Sequence, residues 1–281
     1  MIYAMKHSTR QRYALVTGGG SGLGRAFCRR LAHQGWHVAC ADVDQAAAEQ
    51  TLAQIRDAGG SGQAEPLDVT DAAAWDALCD KLRREWPRLD LLVNNAGICA
   101  AGEIGAAPLE DFDRVLDVNL RGTLIGCHTM VPWLQETAPG GHVVNIASIA
   151  GVLPAPSMGA YNISKAGVVS LSETLYAELR LLGIGVTVVL PGFFPSELVS
   201  RGHFASAAHR RLAERYTRQA QITAEEVVER TLHGIERGKL YVAVGRRVRW
   251  LWRLKRLSST TLLRLASKSY RRKLRKAESS D

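Results

Sequence analysis

The sequence predicts an α/β protein built on a doubly wound parallel sheet of about seven strands, with helices on both faces. Three observations predict this fold class. Short apolar runs alternate with longer helical patterns along most of the 281 residues. The runs are continuously apolar, as is typical of strands covered by helices on both faces. Glycine-rich or polar residues follow the runs, at the sheet edge where such proteins bind ligands.

Six apolar runs are predicted to be strands. They are rich in Val, Leu, Ala and Ile, which suits a buried parallel sheet. They occupy residues 13–17, 37–41, 64–67, 89–93, 142–147 and 186–190. The carboxyl ends of parallel strands share one edge, so we expect the residues after these runs to form one site. Those residues are Gly18, Asp42, Asp68, Asn95, Ser148 and Pro191.

Helical patterns separate the strands. The first follows a glycine-rich turn and runs through Gln34, where Gly35 ends it. Further helices are predicted at residues 45–58, 71–86, about 110–137 and from about 160 to 182. The alternation makes residues 13–245 one domain, with a leader at 1–12 and a tail at 246–281.

Charge and cysteine content limit the functional classes. The net charge is +9, and residues 246–281 hold thirteen Lys or Arg against two acidic residues, a balance of +11 that leaves −2 for the rest. The basicity therefore belongs to the tail. The five cysteines lack metal-ligand spacing, which predicts reduced, mostly buried thiols and no metal site. Neither a signal peptide nor a membrane-spanning run is recognisable, so we expect a cytoplasmic protein.

The turn after the first strand is a candidate phosphate site. It reads Gly18-Gly19-Gly20-Ser21-Gly22-Leu23-Gly24 and opens directly into a helix. A strand, a glycine turn and a helix in this order bring backbone N–H groups and a helix N-terminus against a pyrophosphate. A plain glycine-rich turn is the competing interpretation.

Two further strand ends fit a dinucleotide. Asp42 follows the second strand, where a carboxylate accepts hydrogen bonds from both ribose hydroxyls and repels a 2′-phosphate. This favours NAD over NADP; the alternative, that Asp42 caps the next helix, is weaker because Asp44 is better placed. Residues 94–97 read Asn-Asn-Ala-Gly, small and polar residues that let a flat ring approach the backbone.

A hydroxyl, a phenol and an ammonium are predicted to meet at the fifth strand end. Ser148 follows that strand, and Tyr161 and Lys165 are four residues apart, on one face of the next helix. A nearby lysine cation lowers the pKa of a phenol, which would let Tyr161 exchange a proton with an alcohol or carbonyl oxygen. An ordinary amphipathic helix is the alternative for this pair. Asn119, an amide within an apolar stretch, is by itself a structural core residue.

These residues together resemble the classical short-chain dehydrogenases/reductases over about residues 11–245. The resemblance includes the TGxxxGxG motif at residues 17–24, the NNAG motif at 94–97, and Asn119. It continues with Ser148, the YxxxK motif at 161–165, and Pro191-Gly192 with Ser196, where the family often has threonine. The resemblance implies a Rossmann-type fold and an oxidoreductase that acts on CH–OH groups with a nicotinamide cofactor.

The resemblance also implies residue roles. Tyr161 would be the general acid/base, Lys165 would lower its pKa and bind the nicotinamide ribose, Ser148 would orient the substrate oxygen, and Asn119 would hold a relay water. Cofactor contacts are implied for Gly18, Ser21, Gly22, Leu23, Gly24, Asp42, Asp68, Val69, Asn95, Ala96, Gly97, Tyr161, Lys165, Pro191, Gly192 and Ser196. Ser21 stands where NADP-dependent relatives often have a basic residue, which agrees with Asp42. Arg25 leaves NADP as the alternative.

The substrate is expected to be an apolar alcohol or ketone. Residues 193–222 follow the last cofactor strand and form a candidate lid. The apolar side chains of this region are Phe193, Phe194, Leu198, Val199 and Phe204, with Val152, Leu153 and Met158 before it. Packing of the lid on the body explains the same side chains.

The tail is predicted to be a basic amphipathic helix. A helical wheel puts Arg246, Arg249, Arg253 and Arg256 on one stripe, opposite Trp250, Leu251, Trp252, Leu254 and Leu257. Such a helix suits an anionic membrane surface, the inner face of the membrane for a cytoplasmic protein. Packing on the body or on a subunit, and nucleic-acid binding, are the alternatives.

Two function classes remain open from the sequence. The first is an NAD-dependent oxidoreductase, with an NADP-dependent ketone reductase as its closest rival. The second is a non-catalytic dinucleotide-binding scaffold docked by its tail. A dimer or tetramer formed through the long helices near 110–137 and 160–182 is implied by the resemblance alone.

Overall fold

The computed structural model describes residues 10–137, 139–195 and 197–278. In chain order the strands are β1 (Arg12–Thr17), β2 (Trp36–Asp42), β3 (Ser61–Pro66), β4 (Leu91–Asn94), β5 (Ala100–Ala101), β6 (His142–Ile146), β7 (Gly185–Pro191), β8 (His203–Phe204) and β9 (Tyr241–Val244). The helices are α1 (Gly22–His33), α2 (Gln45–Asp57), α3 (Ala72–Glu85), α4 (Leu109–Leu116), α5 (Gly122–Thr137), α6 (Gly159–Leu179), α7 (Glu197–Ser200), α8 (Ala207–Arg218), α9 (Ala224–Glu236), α10 (Arg246–Leu257) and α11 (Ser259–Glu278).

Seven strands form one parallel sheet in the order β3-β2-β1-β4-β6-β7-β9. The chain runs outward from β1 in one direction and then, from β4, in the other. This reversal opens a crevice beyond the carboxyl ends of β1 and β4, the usual ligand position in doubly wound sheets. The predicted fold class is confirmed.

Two apolar layers cover the sheet. One packs Leu31 of α1, Ile55 of α2 and Val228 of α9 against the strands. The other packs Trp75 of α3, Met130 of α5 and Leu179 of α6 against the opposite face. Because both faces are buried, the central strands can be apolar at every position, which is the pattern the sequence shows.

Two strands of the seven-stranded sheet differ from the expectation, and the short β5 and β8, which pair with each other, were not predicted. β3 begins at Ser61, three residues before the predicted start, because Ser61 and Gly62 pair with His37 and Val38. A Cβ on Gly62 would lie 2.4 Å from the Val38 carbonyl oxygen, so the close pairing requires glycine there. β9 is an edge strand of the sheet and lies outside the six residue ranges that were predicted to be strands.

The predicted helix at 110–137 is three segments. A π-helical turn at Asp117–Arg121 separates α4 from α5. The Thr123 hydroxyl donates to the Asn119 carbonyl oxygen at 2.8 Å and so bonds back across this turn. The wider turn carries the fully buried Asn119, and such turns often occur at functional sites.

The tail forms two helices rather than one, and its faces differ from the predicted ones. Val248 is buried, and the Trp252 ring packs edge-on against Tyr241 with centroids 5.1 Å apart. Trp250 and Leu257 are instead exposed, on the side of α10 that also carries Arg249 and Arg253. The predicted separation of arginines from apolar residues is therefore wrong for Trp250 and Leu257. Within the described residues, none of the helices combines the length and apolarity needed to cross a bilayer.

His142 should make stability depend on pH. Its Nε2 lies 2.9 Å from the Thr187 hydroxyl, and burial lowers the pKa of His142 to about 3. The unfolded imidazole, with an ordinary pKa near 6.5, takes up a proton at a pH where the folded one does not. Folding stability from this group is therefore lost as pH falls from about 6.5 to about 3, by about 1.4 kcal/mol per pH unit.

Urea unfolding of wild type and His142→Gln between pH 7 and pH 4 tests this expectation. Wild type should lose stability relative to the variant as pH falls. The matched substitution at an exposed histidine, His128→Gln, should leave the pH dependence as in wild type. Parallel curves for wild type and His142→Gln would contradict the expectation.

Candidate active site

The glycine turn takes a conformation that only glycine allows. Gly18 and Gly22 have positive φ angles of +64° and +47°. A Cβ on Gly24 would lie 1.9 Å from the Gly18 carbonyl oxygen, so α1 begins in direct contact with the turn. Ser21 is the N-cap of α1, but its side chain makes no capping hydrogen bond. The N–H groups of the first turn therefore remain available to an anion.

Asp42 bonds to the glycine turn. One carboxylate oxygen accepts from the Gly20 N–H at 2.9 Å, and the other accepts from the Asp44 N–H at 3.0 Å. Asp44 caps α2 by accepting from the Ala47 N–H, as the sequence predicts. Arg25 lies beside this contact, since its guanidinium donates to the Gly20 carbonyl oxygen and to the Thr51 hydroxyl.

Thr17 joins the ends of β1 and β4. Its hydroxyl oxygen accepts from the backbone N–H groups of Asn95 and Ala96, both at 3.0 Å. The Asn95 amide donates back to the Thr17 carbonyl oxygen at 2.9 Å and to that of Gly18 at 3.3 Å. The Asn95 side chain therefore holds the glycine turn against the loop that contains Gly97.

Asn119 has a structural role in this loop. Its Oδ1 accepts from the Ile98 N–H at 2.8 Å, and its Nδ2 donates to the Ile98 carbonyl oxygen at 2.9 Å and to the Ser164 hydroxyl at 3.1 Å. A Cβ on Gly97 would lie 3.1 Å from Asn119 Oδ1 and 3.5 Å from Lys165 Nζ. Gly97 thus leaves space over the amide and the amine.

Ser148, Tyr161 and Lys165 converge as the spacing predicts. Ser148 follows β6 by two residues and lies close enough to the Tyr161 hydroxyl to lower its pKa. Tyr161 and Lys165 are both buried in the first turns of α6, and Lys165 Nζ lies 5.8 Å from the Tyr161 ring centroid. Lys165 Nζ donates to the Ile146 carbonyl oxygen at 2.9 Å, which fixes the amine under the end of β6.

The predicted lowering of the Tyr161 pKa is wrong for the protein alone. Burial raises the pKa of the phenol well above its usual range, the neighbouring Cys99 thiol raises it further, and the hydrogen bond with Ser148 lowers it in part. Burial also lowers the pKa of Lys165 to about 8, because a buried ammonium loses hydration. Desolvation is therefore the largest cause of both shifts.

Asp68, Val69, Pro191 and Gly192 lie farther along the same sheet edge. Asp68 is exposed, and its carboxylate accepts from the Thr70 N–H at 2.9 Å and from the Thr70 hydroxyl at 2.8 Å. Val69 packs against Gly122, where a Cβ would lie 2.8 Å from its Cγ2. Pro191 ends β7, and the Gly192 N–H donates to the Val244 carbonyl oxygen at 3.3 Å. Leu23 is buried in α1, and Ser196 lies outside the described residues.

An apolar cluster surrounds the phenol. Cys99, Ala150 and Tyr161 are buried together, and the cluster's partly buried members are Met158, Leu198 and Phe204. The Cys99 thiol donates to the Leu198 carbonyl oxygen at 3.0 Å, and burial raises the pKa of Cys99 to about 11. The sequence predicted Cys99 only as a buried thiol. Its position two residues after Gly97 could have indicated that it lies at the site.

Not all predicted lining residues join this cluster. Phe193 stacks on Tyr216 of α8, with ring centroids 5.0 Å apart. Phe194 packs against the main core on the other side of the sheet edge. Leu198 and Phe204 of the candidate lid, with Met158, are the predicted apolar residues that contact the cluster around Tyr161.

The residues present fit a dinucleotide. Gly22 of the glycine turn faces open space, since a Cβ there would meet nothing within 4 Å, and Gly97 leaves space over Asn119 and Lys165. A buried phenol, a buried amine and a half-buried hydroxyl lie at the same edge. The fold and this geometry are those of a Rossmann-type dinucleotide-binding protein.

The chain belongs to the short-chain dehydrogenase family, whose model matches residues 12–203. It is 40% identical over 67% of its length to the probable oxidoreductase EphD of Mycobacterium tuberculosis. It is 33% identical over 68% of its length to the cyclopentanol dehydrogenase of Comamonas testosteroni, where the match covers 76% of that protein. Both of these relatives are named as oxidoreductases or dehydrogenases.

The solved structures agree with this assignment. A short-chain dehydrogenase/reductase from Burkholderia phymatum, in complex with NAD, is 32% identical, with a TM-score of 0.83 over 88% of this chain and 93% of that one. Similar solved structures include complexes with NAD and with NADPH. The match to EphD covers 32% of that protein, so this chain spans about a third of EphD's length.

Replacing Asn119 should destabilise the fold. Asn119 is fully buried, and Asn119→Ala removes the hydrogen bonds to both the N–H and the carbonyl oxygen of Ile98. The free energy of unfolding should therefore fall by about 2 kcal/mol or more. Asn162 makes the same pair of bonds to Ala155 in a half-buried position, where water replaces a lost partner. Asn162→Ala should therefore cost about 1 kcal/mol or less. Urea unfolding of both variants measures the difference; equal losses would contradict a structural role for Asn119.

Proposed function

We propose that this protein is an NAD-dependent dehydrogenase that moves a hydride between the nicotinamide ring and an apolar secondary alcohol or its ketone. The observation that carries the proposal is the trio of half-buried Ser148 with the buried Tyr161 and Lys165, beside an apolar cluster. The trio supplies a proton donor and acceptor, and the cluster supplies an apolar surface for the carbon skeleton.

Proton transfer is assigned to Tyr161. When bound, the dinucleotide supplies the hydride acceptor or donor and, in its oxidised form, a positive charge. Ser148 lies beside the phenol and can donate a hydrogen bond to the substrate oxygen, which would hold that oxygen at the phenolic proton. Lys165 is fixed by the Ile146 carbonyl oxygen and favours the phenolate while it remains charged.

The remaining roles follow from the same contacts. Asn119 holds the Ile98 backbone and thereby keeps Gly97 over the Lys165 amine. We assign it the relay water as well, next to Lys165. The cofactor would lie along Gly18, Ser21, Gly22, Leu23, Gly24, Asp42, Asp68, Val69, Asn95, Ala96, Gly97, Pro191, Gly192 and Ser196.

NAD is preferred over NADP because of Asp42. Its carboxylate, held between the N–H groups of Gly20 and Asp44, would accept from ribose hydroxyls and repel a 2′-phosphate. The alternative is an NADP-dependent ketone reductase. Arg25 supports it, because its guanidinium donates to the Gly20 carbonyl oxygen and so places a positive charge next to the glycine turn. Asp42 is the last residue of β2, where the adenosine ribose would lie, whereas Arg25 is in α1. We therefore favour NAD.

An apolar substrate is supported by the cluster around Tyr161 and by the cyclopentanol dehydrogenase among the relatives. Cys99, Met158 and Phe204 offer no charge or strong donor to a polyol. We also propose a homo-oligomer through the outer faces of α5 and α6, where Leu124 and Ile163 are exposed. The enzyme is proposed to act as a peripheral protein at an anionic membrane surface, attached through residues 246–276.

Removing the phenolic hydroxyl should abolish turnover. Tyr161→Phe deletes the proton donor but keeps the ring, so kcat for cyclopentanol oxidation should fall by about a hundredfold or more. Quenching of tryptophan fluorescence by NAD should give a Kd within about threefold of wild type, a ratio worth less than 1 kcal/mol. Tyr176→Phe, on the far half of α6, is the matched control and should retain activity. Retained activity of Tyr161→Phe would refute the assignment.

The Asp42 carboxylate should set cofactor choice. Asp42→Ser removes the negative charge but keeps a hydrogen-bonding group, so the ratio of kcat/KM for NADP to that for NAD should rise at least about tenfold, or 1.4 kcal/mol. Asp44→Ser keeps a helix cap and serves as the control. An unchanged ratio in Asp42→Ser, or a wild-type preference for NADP, would contradict the NAD assignment.

A further inference from the structure

The C-terminal helices leave one face of α10 exposed to solvent. This outer face consists of Arg246, Arg249, Trp250, Arg253 and Leu257. Trp250 is 63% exposed and Leu257 is 83% exposed. A tryptophan and a leucine standing among arginines are costly to leave in water, and they contribute nothing to the core.

Contacts with the body fix which face of α10 points outward. Val248 is buried against the body, and Trp252 packs on Tyr241 at the end of the sheet. Lys255 Nζ donates to the Val152 carbonyl oxygen, in the loop that follows Ser148. Val248, Trp252 and Lys255 recur at helical spacing, so the opposite face is presented as a fixed platform and not as a mobile tail.

Contacts with α8 fix α11 in the same way. The Tyr270 hydroxyl lies 3.2 Å from His209 Nε2, and Lys273 Nζ donates to the Tyr216 hydroxyl at 3.1 Å. Arg211 donates to the Ala277 carbonyl oxygen at 2.8 Å. The exposed side chains of α11 include Leu263, Leu265, Arg264, Lys268, Arg271, Arg272, Arg275 and Lys276.

Charge decides what this surface suits. Residues 246–277 contain thirteen Lys or Arg and no Asp or Glu. Polybasic surfaces bind phosphates of lipids and of nucleic acids alike. Exposed Trp250 and Leu257, however, match the interfacial region of a bilayer, where an indole and an alkyl chain enter the acyl boundary and arginines reach the headgroups.

We propose that the exposed face of α10 and α11 docks on an anionic phospholipid bilayer and that the enzyme takes its substrate from that bilayer. This inference rests on the proposed function. The same two helices hold the Val152 loop beside Ser148 and the lid helix α8. Ala150 of the apolar cluster around Tyr161 lies just before the Val152 loop, and Phe204 lies just before α8. Docking through α10 and α11 therefore holds these two segments next to the membrane-bound helices. The substrate class is a lipid-soluble secondary alcohol or ketone dissolved in the acyl layer.

Vesicle sedimentation of the full chain tests the docking. Wild type should bind vesicles of phosphatidylcholine with one-third phosphatidylglycerol at 0.1 M salt and bind pure phosphatidylcholine at least about tenfold more weakly. The double variant Trp250→Ala/Leu257→Ala should partition at least about tenfold more weakly into the anionic vesicles. Leu181→Ala removes a leucine that is 93% exposed outside the tail and should behave as wild type.

Three outcomes would overturn the docking proposal. They are equal partitioning of wild type into both vesicle types, unchanged partitioning of the double variant, and binding to duplex DNA without binding to anionic vesicles. Because neither Trp250 nor Leu257 belongs to the catalytic machinery, the double variant should oxidise cyclopentanol in solution at the wild-type rate. If the wild type does not oxidise cyclopentanol, that result counts against the proposed function, and the docking result is unaffected.

Turnover of a bilayer-dissolved alcohol tests the substrate class. Oxidation of 2-dodecanol in anionic vesicles should be at least about fivefold faster than in phosphatidylcholine vesicles for wild type. The advantage should disappear in the double variant and persist in Leu181→Ala. If the protein sediments with the anionic vesicles but oxidises 2-dodecanol at the same rate in both vesicle types, the enzyme does not take its substrate from the bilayer to which it binds.

Discussion

The burial of a phenol and an ammonium in the same turn of α6 is the constraint on which this active site depends. In water, the pKa of a tyrosine is about 10 and that of a lysine is about 10.4. Buried together, they shift in opposite directions: burial raises the pKa of Tyr161 and lowers that of Lys165 to about 8. Burial thereby disfavours the charged form of each group, so the phenol stays protonated in the protein alone and deprotonates only when a bound cation stabilises its charged form.

The surrounding contacts serve to keep this pair in place. The Ile146 carbonyl oxygen accepts from the Lys165 amine, and the π-helical turn of Asn119 holds the loop through Gly97 above it. The glycine turn is tied to that loop by Asn95, so the cofactor edge and the proton-transfer groups form one hydrogen-bonded unit. Contacts from Lys255 to the Val152 loop extend the unit to the C-terminal helices.

The sequence predicted the sheet and the pairing of Tyr161 with Lys165, because apolar runs and the four-residue spacing are local signals. It missed features that depend on distant partners. The start of β3 is set by pairing with β2, and the π-helical turn at Asn119 does not disturb the apolar periodicity that predicted a single helix. The direction of the Tyr161 pKa shift depends on burial by Cys99 and Phe204, which come from other segments. The outward face of Trp250 likewise follows from where Trp252 packs.

The central claim is that desolvation keeps the phenol neutral until a cation joins Lys165 beside it. Carbon-13 NMR of protein labelled at the tyrosine Cζ position tests this directly, with Tyr161→Phe to assign the signal. In the protein alone, the Tyr161 signal should stay at its protonated position beyond pH 10, and saturating NAD in its oxidised form should shift its titration to lower pH. The shift should shrink in Lys165→Met. A Tyr161 signal that titrates at or below its ordinary pKa without NAD, or identically with and without it, would contradict the account.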